Sequence, residues 1–211
     1  CETTRPTSPS SELDGGRAKM RKTNLTLADR WILSEMNKTV GEVTKGIEEF
    51  QFSRAGEILY EFTWTKLADW YLEVAKVPAY APAGASADKE SDKSDILIHI
   101  LTTLLKLWHP FTPYVTEEIW GHLNEDMLMV AAWPEVDKKL IEEKSVKEFE
   151  KMQELVTKIR NMRAEKKIAP KEIIKVKIKS KEYKKLVDEQ KEVVCGLGRC
   201  EIVDDGEEIR I

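Results

Sequence analysis

The apolar residues in the first part of the chain recur at the spacing of amphipathic helices. Trp31 and Val43 belong to a stripe that predicts a helix from about 27 to 50. Asn24, Thr26 or both can serve as its N-cap, because a side-chain oxygen at that position satisfies a free backbone N–H of the first turn. We therefore expect a long first helix with one face in a core.

A second helix is predicted from about 54 to 77, with Ser53 as its N-cap. Apolar residues spread around most of its circumference, so we expect it to be buried among other helices. At about 100° per residue, Asp69 projects near Ile58 and Phe62. This position predicts a partly buried carboxylate with an internal hydrogen-bonding role.

Two further helices are predicted before the middle of the chain. After a loop over 78–92, one spans about 95–108 and ends before Pro110, which disfavours helix in the residue preceding it. Another spans about 113–123. Four helices with short connections predict an antiparallel bundle. The apolar run over 127–133 is interpreted as an extended strip that seals the bundle.

The pattern changes after residue 138. A fifth helix is predicted over about 145–167, and a strand follows in which Ile174, Val176 and Ile178 alternate with lysines. Helical spacing returns from Tyr183 to Val194, and further strands are predicted near Cys200 and Glu208. Gly196 and Gly198 are expected to end the last helix.

These elements predict a mainly α fold, an antiparallel helical bundle followed by a small appended α/β unit. We divide the chain into a flexible leader over 1–23, the bundle over 24–137, and a basic helix with the α/β unit over 138–211.

Charge is distributed unevenly along the chain. The 211 residues carry a net charge of −4, but the segment 144–185 alone carries +9, so the remainder carries −13. A basic segment in an acidic protein is typical of a surface for a polyanion, although a solvated lysine-rich face has the same composition. No apolar run has the length of a membrane span, and we expect a cytoplasmic protein without membrane contact.

Motifs of catalysis are absent from the sequence. It contains no glycine-rich phosphate loop, no paired-histidine metal motif and no nucleophile elbow. Cys195 and Cys200 lack the spacing of a zinc site and are interpreted as free thiols. We therefore expect no enzyme activity, cofactor or metal in this chain alone.

The fifth helix carries two arginines where apolar side chains are expected. Arg163 falls in the middle of the apolar stripe and Arg160 at its edge. A guanidinium there needs a carboxylate, a carbonyl or a phosphate. An internal salt bridge, a side chain that reaches solvent, and an RNA or partner contact all remain open. The six tryptophans are interpreted mainly as core residues, with base stacking as the alternative.

Several strings, in this order and spacing, resemble one family over roughly residues 25–203. They are LADRWILS (27–34), WTKLADWYLEVAK (64–76), HPFTP (109–113) with TEEIW (116–120), WP (133–134) and IRNMRAE (159–165). The chain resembles the anticodon-binding region of the valyl-tRNA synthetases, which are class I aminoacyl-tRNA synthetases.

This resemblance implies a tRNA partner, with valine tRNA expected. The intact enzyme joins valine to its tRNA with ATP, so the resemblance also implies a catalytic domain of the same enzyme as a partner. We expect this chain to be monomeric. The candidates for phosphate contacts on the basic helix are Lys158, Arg160, Arg163, Lys166 and Lys167. Two alternatives remain open: the same region of an isoleucyl or leucyl enzyme, and a helical protein-interaction module.

Overall fold

The computed structural model describes residues 25–77, 87–169, 171–178, 180–203 and 207–209; of 87–93, 181–182 and 207–209 it describes the backbone. The predicted leader, the cap candidate Asn24 and residues 78–86 of the predicted loop lie outside the described residues.

The first helix, α1, spans Leu27–Glu48 and begins with a capping box. The Thr26 hydroxyl accepts from the backbone N–H of Asp29, and the Asp29 carboxylate accepts from the backbone N–H of Thr26 at 3.0 Å. This reciprocal pair satisfies free N–H groups of the first turn. The predicted helix is confirmed, with Thr26 as its cap. Helix α1 lies at the centre of the fold and packs against α2, α4 and α6.

The second helical rod has three parts. Helix α2 spans Phe52–Glu61, a π-helical stretch spans Phe62–Tyr71, and α3 spans Leu72–Ala75. The predicted N-cap Ser53 is wrong, because the cap position is Gln51, which makes no side-chain capping hydrogen bond.

The π-helical stretch changes which residues share a face. Phe62 and Tyr71 would lie on opposite sides of an α-helix at about 100° per residue, yet each is only 1% exposed. The hydrogen bonds of a π-helix link residue i to i+5, so each turn holds more residues. For the same reason Asp69 is exposed, and its predicted internal role is wrong. Burial on all sides is also wrong, since Trp64 is 50% exposed.

The other two bundle helices are α4, Ala87–Trp108, and α5, Pro113–Gly121. Helix α4 begins earlier than predicted and ends before Pro110, as expected. The predicted extended strip over 127–133 is wrong: Leu128–Val130 form a short 3-10 helix in which Leu128 is buried. Met127, Met129 and Val130 face solvent.

Helix α6, Glu143–Glu165, joins the bundle to the C-terminal unit. In its first half Phe149 stacks on Trp31 of α1, with ring centroids 3.9 Å apart. In its second half it packs against α7, Lys181–Gly198. Apolar residues of both regions therefore form one continuous buried cluster. The domain boundary predicted at 137/138 assigns α6 to the C-terminal unit. In the structure, α6 also packs against α1 of the bundle.

The C-terminal unit is a parallel sheet with α7 on it. Strand β1 spans Ile174–Ile178 and lies between β2, Cys200–Ile202, and β3, Glu207–Ile209. Both neighbours run parallel to β1. Gly196 lies inside α7, not at its end as predicted; the helix ends after Gly198, where Arg199 adopts a left-handed φ of 48°.

The predicted fold class, a mainly helical bundle followed by a small α/β unit, is confirmed. Among the helices of the described residues, none is long and apolar enough to cross a membrane.

Candidate nucleic-acid interface

Arg163 lies inside the molecule. Its side chain is on the apolar face of α6, and the residue is 8% exposed. Nη1 donates to the backbone carbonyl of Arg199 at 2.8 Å, and Nη2 donates to that of Ala169 at 2.9 Å. The guanidinium therefore reaches carbonyl oxygens rather than solvent, and it forms no salt bridge with a carboxylate of the described residues. Arg163 is therefore mostly buried, and its predicted contact with a phosphate stays a prediction.

Arg160 lies one turn earlier and is exposed. Its Nε donates to the backbone carbonyl of Leu197 at 3.3 Å. Its guanidinium carbon lies 5.3 Å from the centroid of the Trp70 ring, within the range of a cation–π contact. Apart from that of Ala169, the carbonyls bound by Arg160 and Arg163 belong to the last turn of α7 and the residue after it, where helical carbonyls lack partners in their own helix. The two arginines thus cap α7 from a neighbouring helix.

Lys158 is engaged in a local cluster. Its Nζ donates to Glu154 at 2.6 Å and lies 5.8 Å from the ring centroid of Tyr183. The Tyr183 hydroxyl donates to the same carboxylate at 2.8 Å. The hydrogen bonds from Lys158 and Tyr183 lower the pKa of Glu154. The carboxylate therefore balances the charge of Lys158.

Lys166 and Lys167 follow the last residue of α6 and are both exposed. Lysines at a helix C-terminus interact favourably with the partial negative charge there. Lys167 has a left-handed φ of 53°, and its amide closes the turn by donating to the carbonyl of Ala164 at 3.0 Å. This turn presents two adjacent cations to solvent at one end of the helix.

The lysines of β1 have acidic residues as neighbours in the register of the sheet. The register places Lys175 beside Glu201 in β2 and Lys177 beside Glu208 in β3. The sequence does not reveal these strand neighbours. A second group of exposed cationic residues lies at the C-terminal end of α6. We define the basic end by Arg160, Lys166, Lys167, Lys171 and Arg199, all of them exposed.

The comparison with protein families decides what this surface belongs to. A profile described as the anticodon-binding domain of tRNA ligase matches residues 29–178, which include the bundle helices except for the first two residues of α1, together with α6 and β1. The chain belongs to this family. The resemblance seen in the sequence is confirmed at the level of the anticodon-binding domain.

Curated relatives of this anticodon-binding domain are valine–tRNA ligases. The enzyme of Pseudothermotoga lettingae is 40% identical over 156 residues, covering 73% of this chain and 17% of that protein. The enzyme of Geobacillus stearothermophilus is 38% identical over 159 residues, covering 74% of this chain and 18% of that protein. The chain thus spans less than a fifth of the length of these relatives.

The tryptophans of the anticodon-binding domain divide into core and surface residues. Trp31 and Trp120 are buried. Trp64 is 50% exposed and stacks on Tyr60, itself 57% exposed, with ring centroids 4.7 Å apart. The sequence did not single out this surface pair, although its spacing of four residues on a helix was the signal that could have found it.

Cys195 and Cys200 are free thiols at the junction of α7 and β2. The hydrogen bond from the Cys200 thiol, aided by the Ile202 backbone N–H, lowers the pKa of Cys195 to about 6, against the effect of burial. The contact with Cys195 and burial together raise the pKa of Cys200. Among the described residues no group of His, Cys, Asp or Glu could hold a metal ion.

Proposed function

We propose that this chain is the tRNA-binding part of a valine–tRNA ligase and that it holds the anticodon arm of valine tRNA. The observation that carries the proposal is the family match over 29–178, together with relatives that are named valine–tRNA ligase. The basic end supports it, because an exposed cluster of cations suits an RNA backbone.

The described contacts rank the candidate side chains. Lys166 and Lys167 are exposed on one turn, and the charge of Arg160 is held at the surface between Trp70 and the Leu197 carbonyl. Lys158 contributes less because Glu154 balances its charge. Arg163 contributes as the residue that ties α6 to the end of α7. Contacts of this kind position an RNA without reading its sequence.

In the intact ligase, a catalytic domain of the same enzyme would use ATP to join valine to the tRNA that this chain holds. We assign ATP to that domain and propose that the chain acts as a monomer in the cytoplasm. The anticodon arm suits a rigid helical bundle, because RNA is read mainly in single-stranded loops whose bases can be splayed outward.

The experiment is filter binding of a valine tRNA transcript at several salt concentrations. We expect the double variant Lys166→Ala/Lys167→Ala to bind more weakly and less salt-dependently. The slope of log affinity against log salt should fall by about 0.7–0.9 for each phosphate that the variant no longer neutralises. The matched control is Lys144→Ala/Lys147→Ala, which removes two exposed lysines from the other end of α6.

Two results would reject the proposal. In one, the wild-type chain binds valine tRNA no better than a leucine or isoleucine tRNA, which removes the valine assignment. In the other, the chain shows no salt-dependent tRNA binding, which removes the RNA-binding role. Equal weakening in the two double variants would show that charge number matters and the basic end does not.

A further inference from the structure

A cavity of about 500 Å³ lies between α3, the C-terminal half of α6 and the end of α7. Its size is in the range of small-ligand sites. The cationic side chains that line it are Lys76, Arg160, Arg163 and Arg199, and Glu73 is the carboxylate among its lining residues. The cavity opens beside the basic end and shares Arg160 and Arg199 with it.

Arg160 and Arg163 bring two positive charges to the cavity. Arg160 and Arg163 use backbone carbonyls as acceptors, and among the described side chains neither forms an ion pair with a carboxylate. A hydrogen bond to a carbonyl satisfies a donor but leaves the formal charge in place. The helix end contributes only about half a negative charge. Lys76 is paired with Glu73, so the two guanidinium charges of Arg160 and Arg163 face the end of α7 without a carboxylate of their own among the described residues.

The guanidinium groups are held in position before any ligand arrives. Arg163 is fixed by two short hydrogen bonds, and Arg160 is fixed between the Leu197 carbonyl and the Trp70 ring. Each guanidinium carries more N–H donors than these bonds use. Planar groups held in this way suit the oxygens of a phosphate, which arginine binds through paired hydrogen bonds.

Close packing of α7 creates this arrangement. A Cβ at Gly196 would lie 2.8 Å from Cγ1 of Val77, and a Cβ at Gly198 would lie 3.2 Å from Cγ2 of Ile159. The two glycines allow the last turn of α7 to approach α3 and α6. That approach brings the carbonyls within reach of the arginines and leaves Val77, Ile168 and Leu197 as an apolar wall.

We propose that the cavity is a phosphate-binding site, formed by Arg160 and Arg163 across the end of α7. The phosphate comes either from the backbone of a bound RNA or from a free phosphate compound such as a nucleoside monophosphate. The RNA source of the phosphate rests on the proposed function. The existence of the phosphate-binding site does not.

The test uses the full 211-residue chain and two ligand arms. The first arm titrates the chain with inorganic phosphate and with adenosine 5′-monophosphate by calorimetry. The second measures affinity for a valine tRNA transcript by filter binding at several salt concentrations. Ala164 is exposed on the last turn of α6 and lines the cavity, so Ala164→Glu places a carboxylate in it without removing an arginine. Ala164→Gln has the same size and no charge, and serves as the matched control.

We expect Ala164→Glu to weaken phosphate binding by at least about tenfold relative to Ala164→Gln, since the new charge lies beside the arginines. Glu73→Gln should strengthen binding about two- to fivefold, because it removes the carboxylate of the cavity. Its control is Glu57→Gln, which removes an exposed carboxylate from α2 and should leave affinity unchanged.

The two sources give different results. If RNA supplies the phosphate, Ala164→Glu weakens tRNA binding and lowers its salt slope relative to Ala164→Gln. If a free phosphate compound is the ligand, Ala164→Glu and Ala164→Gln differ in the phosphate affinity measured by calorimetry but bind tRNA equally. The proposal is overturned if neither small ligand binds at up to about 10 mM and both Ala164 variants bind tRNA alike. A wild-type chain that binds phosphate but no tRNA would reject the proposed function and keep the site.

Discussion

The side chain of Arg163 on α6 donates to the backbone carbonyl of Arg199, 2.8 Å away, at the point where α7 ends and β2 begins. A second bond from the same guanidinium reaches the carbonyl of Ala169. The buried guanidinium therefore connects α6 with Ala169 in the segment that follows it and with Arg199 at the end of α7. Its role is to hold the C-terminal unit on the bundle.

Replacing Arg163 by Met should destabilise the protein. The apolar stem is kept, but two carbonyls are deprived of charged donors, and bonds of this type contribute roughly 1.5–3 kcal/mol each. We expect a decrease of about 2–4 kcal/mol in the free energy of unfolding, measured by urea denaturation. The control Lys167→Met, at an exposed position, should stay within about 0.5 kcal/mol. Unchanged stability in Arg163→Met would contradict this structural role.

Replacement of Trp31, Trp70 or Trp64 by alanine should decrease stability in proportion to how deeply each side chain is buried. Trp31 is 2% exposed and stacked on Phe149, so its replacement should cost about 3–5 kcal/mol. Trp70 is half-buried against the core and beneath Arg160, so we expect a smaller but clear decrease in stability. Trp64 is 50% exposed and should change stability least. Denaturant midpoints give the order, and a Trp64 variant as unstable as the Trp31 variant would contradict it.

Gly196→Ala should destabilise the packing of α7 on α3. The new Cβ would lie 2.8 Å from a methyl group of Val77, and overpacking of this kind costs about 1–3 kcal/mol. The second substitution Val77→Ala removes the obstructing methyls, so the double variant should recover part of the stability in a double-mutant cycle. Gly121→Ala is the control, because a Cβ there meets nothing within 4 Å. Additive effects in the cycle would show that Val77 is not the obstacle.

Alkylation of Cys195 should follow an acidic pH profile. Its pKa is lowered to about 6, chiefly by the hydrogen bond from Cys200, so at pH 7 the reactive thiolate is the favoured form. The rate with iodoacetamide should rise through pH 6 and level off near pH 7. In Cys200→Ala the donor is removed, and the rise should move toward the usual thiol range near about 8.5. Peptide mass mapping separates Cys195 from the other two cysteines, and an unshifted profile in Cys200→Ala would exclude the hydrogen bond as the cause.

The elements were predictable from sequence wherever local pattern and capping decide them. Thr26 marks a helix start through its side-chain hydroxyl, and Pro110 and Pro113 mark helix ends through their rings. Ile174, Val176 and Ile178 mark a strand by alternation. The prediction for Asp69 was wrong because the number of residues per helical turn increases in the π-helical stretch. No residue type between Phe62 and Tyr71 indicates that increase. Gly196 was taken for a helix end because a glycine required by packing looks the same in sequence as a glycine that ends a helix.

The sequence indicates where the basic end lies but not which contacts its side chains make. The excess of lysine and arginine marks the segment that holds most of the basic end. The acceptors of Arg160 and Arg163 are backbone carbonyls more than thirty residues away, except for that of Ala169, and backbone atoms leave no trace in a sequence. Glu201 becomes a neighbour of Lys175 only through the strand register, which the sequence does not reveal.

The position of α6 between the bundle and the sheet affects how the protein unfolds locally. Its first half stacks Phe149 on Trp31, and its second half seals the sheet-side core. Detachment of α6 would expose apolar surface of the bundle and of the C-terminal unit at the same time. Local unfolding of one unit therefore also costs the free energy of exposing the other. The backbone amides of α1 and β1 should therefore exchange with deuterium as one cooperative group, and the chain should behave as a single foldon despite its two architectures.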